Sequence, residues 1–173
     1  MQTISIHEET KPRADLALTV PDMARILIVS ESDSDAGRLK TIFGKAGLTS
    51  ESANSITMGC ELAKSGRFQV VFSTPLAADG SWRRLTDVAN HYGLSFEVIL
   101  LARSFDLNQW AEALQVGAFD VLDVLCDLPK AAESAKRALG AAYLKRFRPR
   151  PELQEQSNSS VLVLDRFPIL PVA

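Results

Sequence analysis

The sequence predicts a doubly wound α/β fold, a five-stranded parallel sheet with helices on both faces, and three observations carry that expectation. Nearly continuous apolar runs rich in branched residues recur along the chain, at Ile26–Val29, Val70–Phe72 and Phe96–Leu101. Segments with apolar residues at helical spacing lie between them, and polar or glycine-containing breaks separate the two kinds. Strands without polar alternation are buried on both faces, and strict strand–helix alternation places such strands in a parallel sheet.

Taken in order, Ile26-Leu27-Ile28-Val29 is bounded by the polar Ser30-Glu31-Ser32-Asp33 and reads as the first strand. Ser32 or Asp33 caps the helix that follows, and Asp33 is the more favoured role-holder among the acids there; Ala36, Leu39, Phe43 and Ala46 then recur at helical spacing until Gly47 stops the helix. A weak strand around Leu48–Ala53 precedes a helix over 55–64, which Ser65-Gly66 ends. Gln69–Ser73 is the third strand, followed by a helix over Trp82–Tyr92 with Leu85, Val88, Ala89 and Tyr92 on one stripe. Phe96–Leu101 is the fourth strand, and Leu107–Val116 a helix with Trp110, Ala113 and Leu114 directed inward. The fifth strand, Asp120–Leu125, leads through Pro129, a favoured first helical residue, into a long alanine-rich helix ending near Phe147. Residues 1–24 form an N-terminal extension, 25–147 the folded domain, and 148–173 a linker and apolar tail.

Composition narrows the function. Of 173 residues, 46% are hydrophobic and 23% charged, the balance of a globular protein, and the net charge of −2 gives no global attraction to nucleic acid or anionic membrane. Glu8, Glu9, Lys11 and Arg13 interrupt the apolar run that a secretory signal needs, and no segment approaches the roughly 20 apolar residues that span a bilayer. Cys60 and Cys126 lack metal-ligand spacing and the only histidines are His7 and His91, so neither a metal nor a cofactor is expected. Both cysteines lie in apolar stretches and read as reduced core residues of a cytoplasmic protein. In open parallel sheets ligands gather at the carboxyl ends of the strands, which directs attention to residues 30–33, 73–79, 101–105 and 123–127.

Over Ala24 to Arg146 the chain resembles the receiver domains of two-component response regulators, a flavodoxin-like (βα)5 family. The features that carry the resemblance are Ile26-Leu27-Ile28-Val29 before an acidic turn, Phe68-Gln69-Val70-Val71-Phe72 before a loop ending Asp79-Gly80, Val98-Ile99-Leu100-Leu101-Ala102, and Gly117-Ala118-Phe119-Asp120. Receivers accept a phosphoryl group on an aspartate beside a Mg²⁺ ion held by acidic residues. Here the acid-pair positions match Ser30 and Glu31, the acceptor matches Thr74, the strand-end hydroxyl position matches Leu101, and the lysine-proline pair matches Val124 and Leu125. No Asp or Glu occurs from Gln69 through Ala78, and Asp79 reads as a turn residue. The resemblance therefore implies a degenerate pseudo-receiver, not an enzyme, with a pocket less acidic than a working one and partly filled by Leu101 and Val124.

What the resemblance leaves is a protein surface. It implies a module that binds another signalling or regulatory protein, or a second copy of itself, through the face of the fourth helix, fifth strand and fifth helix. Asp120 matches a position used in some receiver dimers; Ala135 falls where the basic partner is expected, with Lys136 and Arg137 just beyond and read as a solvated helix face. Beyond the domain, Lys145–Pro151 is basic and proline-broken, 152–160 is linker-like, and Val161–Leu164 and Phe167–Pro171 return to apolar character, suited equally to a partner, as a strand added to a sheet edge or as a docked extended peptide, and to lying against the chain's own domain. Two other readings stay open: a small α/β enzyme or nucleotide binder using the same loops, although no glycine-rich turn follows the first strand, and a receiver phosphorylated at an unusual residue such as Thr74 or Asp79.

Overall fold

The computed structural model describes residues 24–104 and 106–147. The elements follow in the order β1 (Arg25–Val29), α1 (Asp33–Lys45), β2 (Thr49–Ala53), α2 (Ile56–Ala63), β3 (Val70–Ser73), β4 (Leu76–Ala77), β5 (Gly80–Ser81), α3 (Arg83–Tyr92), β6 (Glu97–Ala102), α4 (Leu107–Val116), β7 (Asp120–Asp123) and α5 (Ala131–Phe147). Five strands form one sheet in the order β2-β1-β3-β6-β7, and every neighbouring pair is parallel. The chain steps outward from β1 to β2 and then crosses back to β3, so the direction of strand progression reverses at β1. A reversal of this kind opens a crevice between the loops that leave β1 and β3.

The apolar strands explain the layering. Ile26, Leu27, Ile28 and Val29 are all essentially inaccessible, and burying such side chains stabilises by about 1.5–3 kcal/mol each. Alternate residues serve opposite cores. Ile26, Ile28, Val70, Phe72, Ile99 and Leu101 pack with α1 and α5, whereas Leu27, Val29, Val71, Val98 and Leu100 pack with residues of α2 and α3. Helix α5 meets the first core with Ala131, Ala135 and Ala138, small side chains that let it approach the sheet closely, together with Leu139. On the other face, α2 is held close to β1 by Gly59, where a Cβ would stand 2.6 Å from Val29 Cγ2.

Four sequence expectations need correction. Trp110 is not directed inward: it is 42% exposed, and Ala113 is the buried residue of α4. This helix packs on β7, an edge strand of four residues, and its outer flank stays exposed among the described residues. Tyr92, expected on the buried stripe of α3, is likewise exposed, while Leu85 is fully buried. The fifth sheet strand stops at Asp123, whose carboxylate accepts the Leu125 N–H at 2.7 Å; the turn so formed turns Leu125 and Cys126 outward, so Cys126 is not a core residue. Cys60 is buried as expected, and burial pushes its thiol pKa up. Finally, Pro129 lies in a single 3₁₀ turn, Leu128–Lys130, that precedes α5 rather than at the helix's own first position.

A short antiparallel hairpin, β4–β5, was not legible in the sequence. Among the described residues no helix is long and apolar enough to cross a membrane. The extension and tail lie outside the described residues, apart from Ala24, and so do the readings made of them.

Candidate functional site

A cleft of about 390 Å³ opens at the carboxyl end of the sheet, at the reversal of strand order. The ends of β1, β3, β6 and β7 all reach it, through Ser30, Glu31, Thr74, Leu101, Ala102 and Val124 among others. The five residues that sequence comparison assigned to a degenerate acceptor pocket are therefore brought together.

Each is fixed by local chemistry. Ser30, buried at the end of β1, donates its N–H to the Ala53 carbonyl at 3.0 Å, which extends the sheet by one residue. Its Oγ accepts the Ser32 N–H at 3.1 Å, and the Ser32 Oγ in turn accepts the Asp35 N–H at 3.2 Å. Ser32, not Asp33, is thus the N-cap of α1; Asp33 occupies the first helical turn, where its charge favours the helix dipole. Thr74 continues β3 by donating its N–H to the Val29 carbonyl at 3.0 Å, and its Oγ1 is buried without a hydrogen-bond partner. Among the described residues no side chain is hydrogen-bonded to the Thr74 hydroxyl, as a base that activates a hydroxyl nucleophile would be. Leu101 and Val124 are each 3% exposed and present only hydrocarbon to the cleft. Ala102, next to Leu101, also lines it and also lacks a hydroxyl, so a shift of one residue changes nothing.

The carboxylates at the cleft have partners within the chain. Glu31 Oε1 accepts the Ala78 N–H at 2.9 Å, which ties the loop after β1 to the β4–β5 hairpin. Asp35, whose side chain is 11% exposed, pairs with Arg103 at 2.6 Å across the cleft, from α1 to the loop after β6. The guanidinium supplies the positive charge that a metal ion supplies where acids crowd together. Among the described residues no group of three or more His, Cys, Asp and Glu side chains could hold a metal ion. This donor set does not fit Mg²⁺, which takes near-octahedral oxygen coordination.

Asp79 has a structural task beyond the turn it occupies. Its carboxylate accepts the N–H groups of Ile56 and Thr57 at 3.0 and 2.7 Å, at the start of α2, and Arg84 reaches back to the Asp79 carbonyl and the Thr57 hydroxyl. Hydrogen bonds from the Thr57 side chain and backbone, and from the Ile56 N–H, hold its carboxyl down at about 2. The hairpin beside the cleft is thereby anchored at two points, by Glu31 and by Asp79.

Sequence reasoning missed Asp35 and Arg103. Their pairing joins residues 68 apart in the chain and depends on strand order; the available signal was an arginine directly after the most buried strand. On the opposite flank, Asp120 is already engaged: its Oδ2 accepts from Ser134 Oγ at 3.0 Å and Arg137 Nη2 at 2.8 Å. Arg137 is therefore not simply a solvated charge, whereas Lys136 is exposed and enters no ion pair among the described residues.

The fold is the flavodoxin-like one that response-regulator receiver domains also have. The signal receiver domain of an HD domain-containing protein from Pseudomonas fluorescens Pf-5 is 23% identical, with a TM-score of 0.66 over 76% of this chain and 97% of that one. A response regulator receiver domain from Clostridium thermocellum is 20% identical, with a TM-score of 0.61 over 70% of this chain and 98% of that one. Chemotaxis protein CheY4 of Vibrio cholerae is also 20% identical, with a TM-score of 0.60 over 67% and 98%. No family model and no curated protein matches the sequence.

Proposed function

We propose that this chain is a receiver-like interaction module of bacterial signal transduction or transcriptional regulation whose binding does not depend on phosphorylation. One observation carries the reading: the cleft's carboxylates, Glu31 and Asp35, are bonded to the chain's own Ala78 N–H and Arg103, and a threonine stands where the phosphoryl acceptor is expected. An acyl phosphate needs a carboxylate nucleophile, and neither engaged acid lies at the acceptor position. The module then works in the cytoplasm with a protein partner, and without metal or cofactor.

The exposed flank of α4 favours a protein partner. Leu107 is 83% and Trp110 42% exposed on one side of a helix, and tryptophan is the residue most enriched among side chains that dominate binding energy. Asp120 and Arg137 satisfy each other within the chain, so a partner meets this face through its apolar side chains rather than through that ion pair.

The test is affinity capture from native extract with the full chain and with Trp110→Ala, each with and without acetyl phosphate and Mg²⁺. The reading expects one partner captured equally under both conditions, with affinity reduced about tenfold or more by Trp110→Ala. Capture that requires the phosphoryl donor would overturn it.

A further inference from the structure

The last turns of α5 end in an apolar surface that the described residues do not cover. Tyr143, Leu144 and Phe147 are 47%, 64% and 68% exposed, and the Tyr143 and Phe147 rings meet at a tilt of 52° with 4.7 Å between centroids. On a helix residues three and four apart are neighbours, so Phe147 lies beside both Leu144 and Tyr143 and the three make one patch. The buried side of the same helix is occupied by Ala135, Ala138 and Ala142, and Lys145 reaches inward to Glu97, so this patch has no role in the core.

We propose that the patch is the docking site of the chain's own C-terminal apolar segment, Val161–Leu164 with Phe167–Leu170. The occupant follows from chain length and chemistry. All but Leu153 of the 13 residues 148–160 are polar, charged or proline, and a flexible linker of that length reaches roughly 20 Å from Phe147. Tyr143 lies only about 6 Å along the helix from that anchor point. A tethered segment within such reach is present at a millimolar effective concentration, which no free partner matches without high affinity. The segment carries two apolar runs, Val161–Leu164 and Phe167–Leu170, separated only by the oppositely charged pair Asp165-Arg166, so its chemistry matches an apolar patch.

The alternative seat, addition of a strand to β7, is disfavoured by that edge's own chemistry. The Asp120 and Asp123 carboxylates already accept the Val121 and Leu125 N–H groups, at 2.9 and 2.7 Å, so an added strand would compete with them for those donors. This inference is independent of whether the cleft accepts phosphate.

Hydrogen exchange read by mass spectrometry on the full chain tests it, with Leu162→Glu plus Leu164→Glu in the segment and Phe147→Ser in the patch, each confirmed folded by circular dichroism. A millimolar effective concentration against a peptide contact of about 0.1 mM gives roughly tenfold protection. The segment variant should therefore speed exchange over residues 141–147 about tenfold, and Phe147→Ser should speed it over 161–170. No change in either direction overturns the proposal. Protection that grows with protein concentration assigns the patch to a second copy instead, and protection of residues 16–20 in place of 161–170 assigns it to the N-terminal extension; both results reject the stated occupant.

Discussion

Replacing Arg103 with alanine strands the Asp35 carboxylate, and the cost follows from the unequal exposure of the two partners. Asp35 is 11% exposed at its side chain and Arg103 63%, with 2.6 Å between them. Two unit charges at such a distance attract by about 4 kcal/mol or more at an effective dielectric of 20, and removing one partner of a fully buried pair costs about 3–5 kcal/mol. Water around the guanidinium screens much of this, which leaves about 1–2 kcal/mol. Asp35→Ala, by contrast, releases an arginine already facing solvent and should cost less than about 1 kcal/mol. Urea and thermal unfolding followed by far-ultraviolet circular dichroism measure both, and Arg103→Ala should lower Tm by roughly 3–10 °C. A double-mutant cycle isolates the coupling. If Asp35→Ala is as costly as Arg103→Ala, or costlier, the argument that the cleft holds a desolvated carboxylate neutralised by arginine is wrong.

Three further outcomes follow from other parts of the molecule. Asp79, held at about 2 against an ordinary 3.8, has a lowered folded-state pKa, so its contribution is complete above about pH 4 and is lost as pH falls toward 2. Asp79→Asn should therefore unfold with a shallower acid dependence across that window, and an unchanged acid profile would contradict the anchoring role. Gly59→Ala should destabilise by about 1–3 kcal/mol, because the added methyl meets Val29 at 2.6 Å, whereas Gly37→Ala, inside α1 with nothing within 4 Å, should stabilise by about 0.5–1 kcal/mol; chemical denaturation reads both signs. Cys126 should react with a thiol reagent in the native state at a rate near that of a free thiol, and Cys60 only on unfolding, as absorbance of the released thiolate reports.

The parallel sheet was legible because its signal is local. Ile26–Val29 and Val70–Phe72 are branched and apolar on both faces, and no other environment suits them as well. The ends of α1 were equally local, with Ser32 as its cap and Gly47, in the left-handed conformation, just past its last turn. Trp110 was misread because helical spacing shows which residues share a stripe but not whether a neighbour exists to cover it; an edge strand provides none. Cys126 was misread because an aspartate-initiated turn, rather than hydrophobicity, sets where β7 ends.

The cleft divides in the same way. Its lining by Ser30, Glu31, Thr74, Leu101 and Val124 followed from their places at strand ends. The pairing of Asp35 with Arg103 and the reach of Asp79 to α2 did not, since each joins residues whose proximity is decided only when β3 is inserted between β1 and β6. A sequence displays the charges, and the strand order chooses their partners.

Beryllofluoride with Mg²⁺, which mimics a bound phosphoryl group, puts the greatest strain on this account when titrated into the full chain by calorimetry, with intact mass recorded after acetyl phosphate treatment. The account predicts no saturable heat and no added phosphoryl mass. One-to-one binding that needs Mg²⁺, or a stable phosphorylated species, would contradict it.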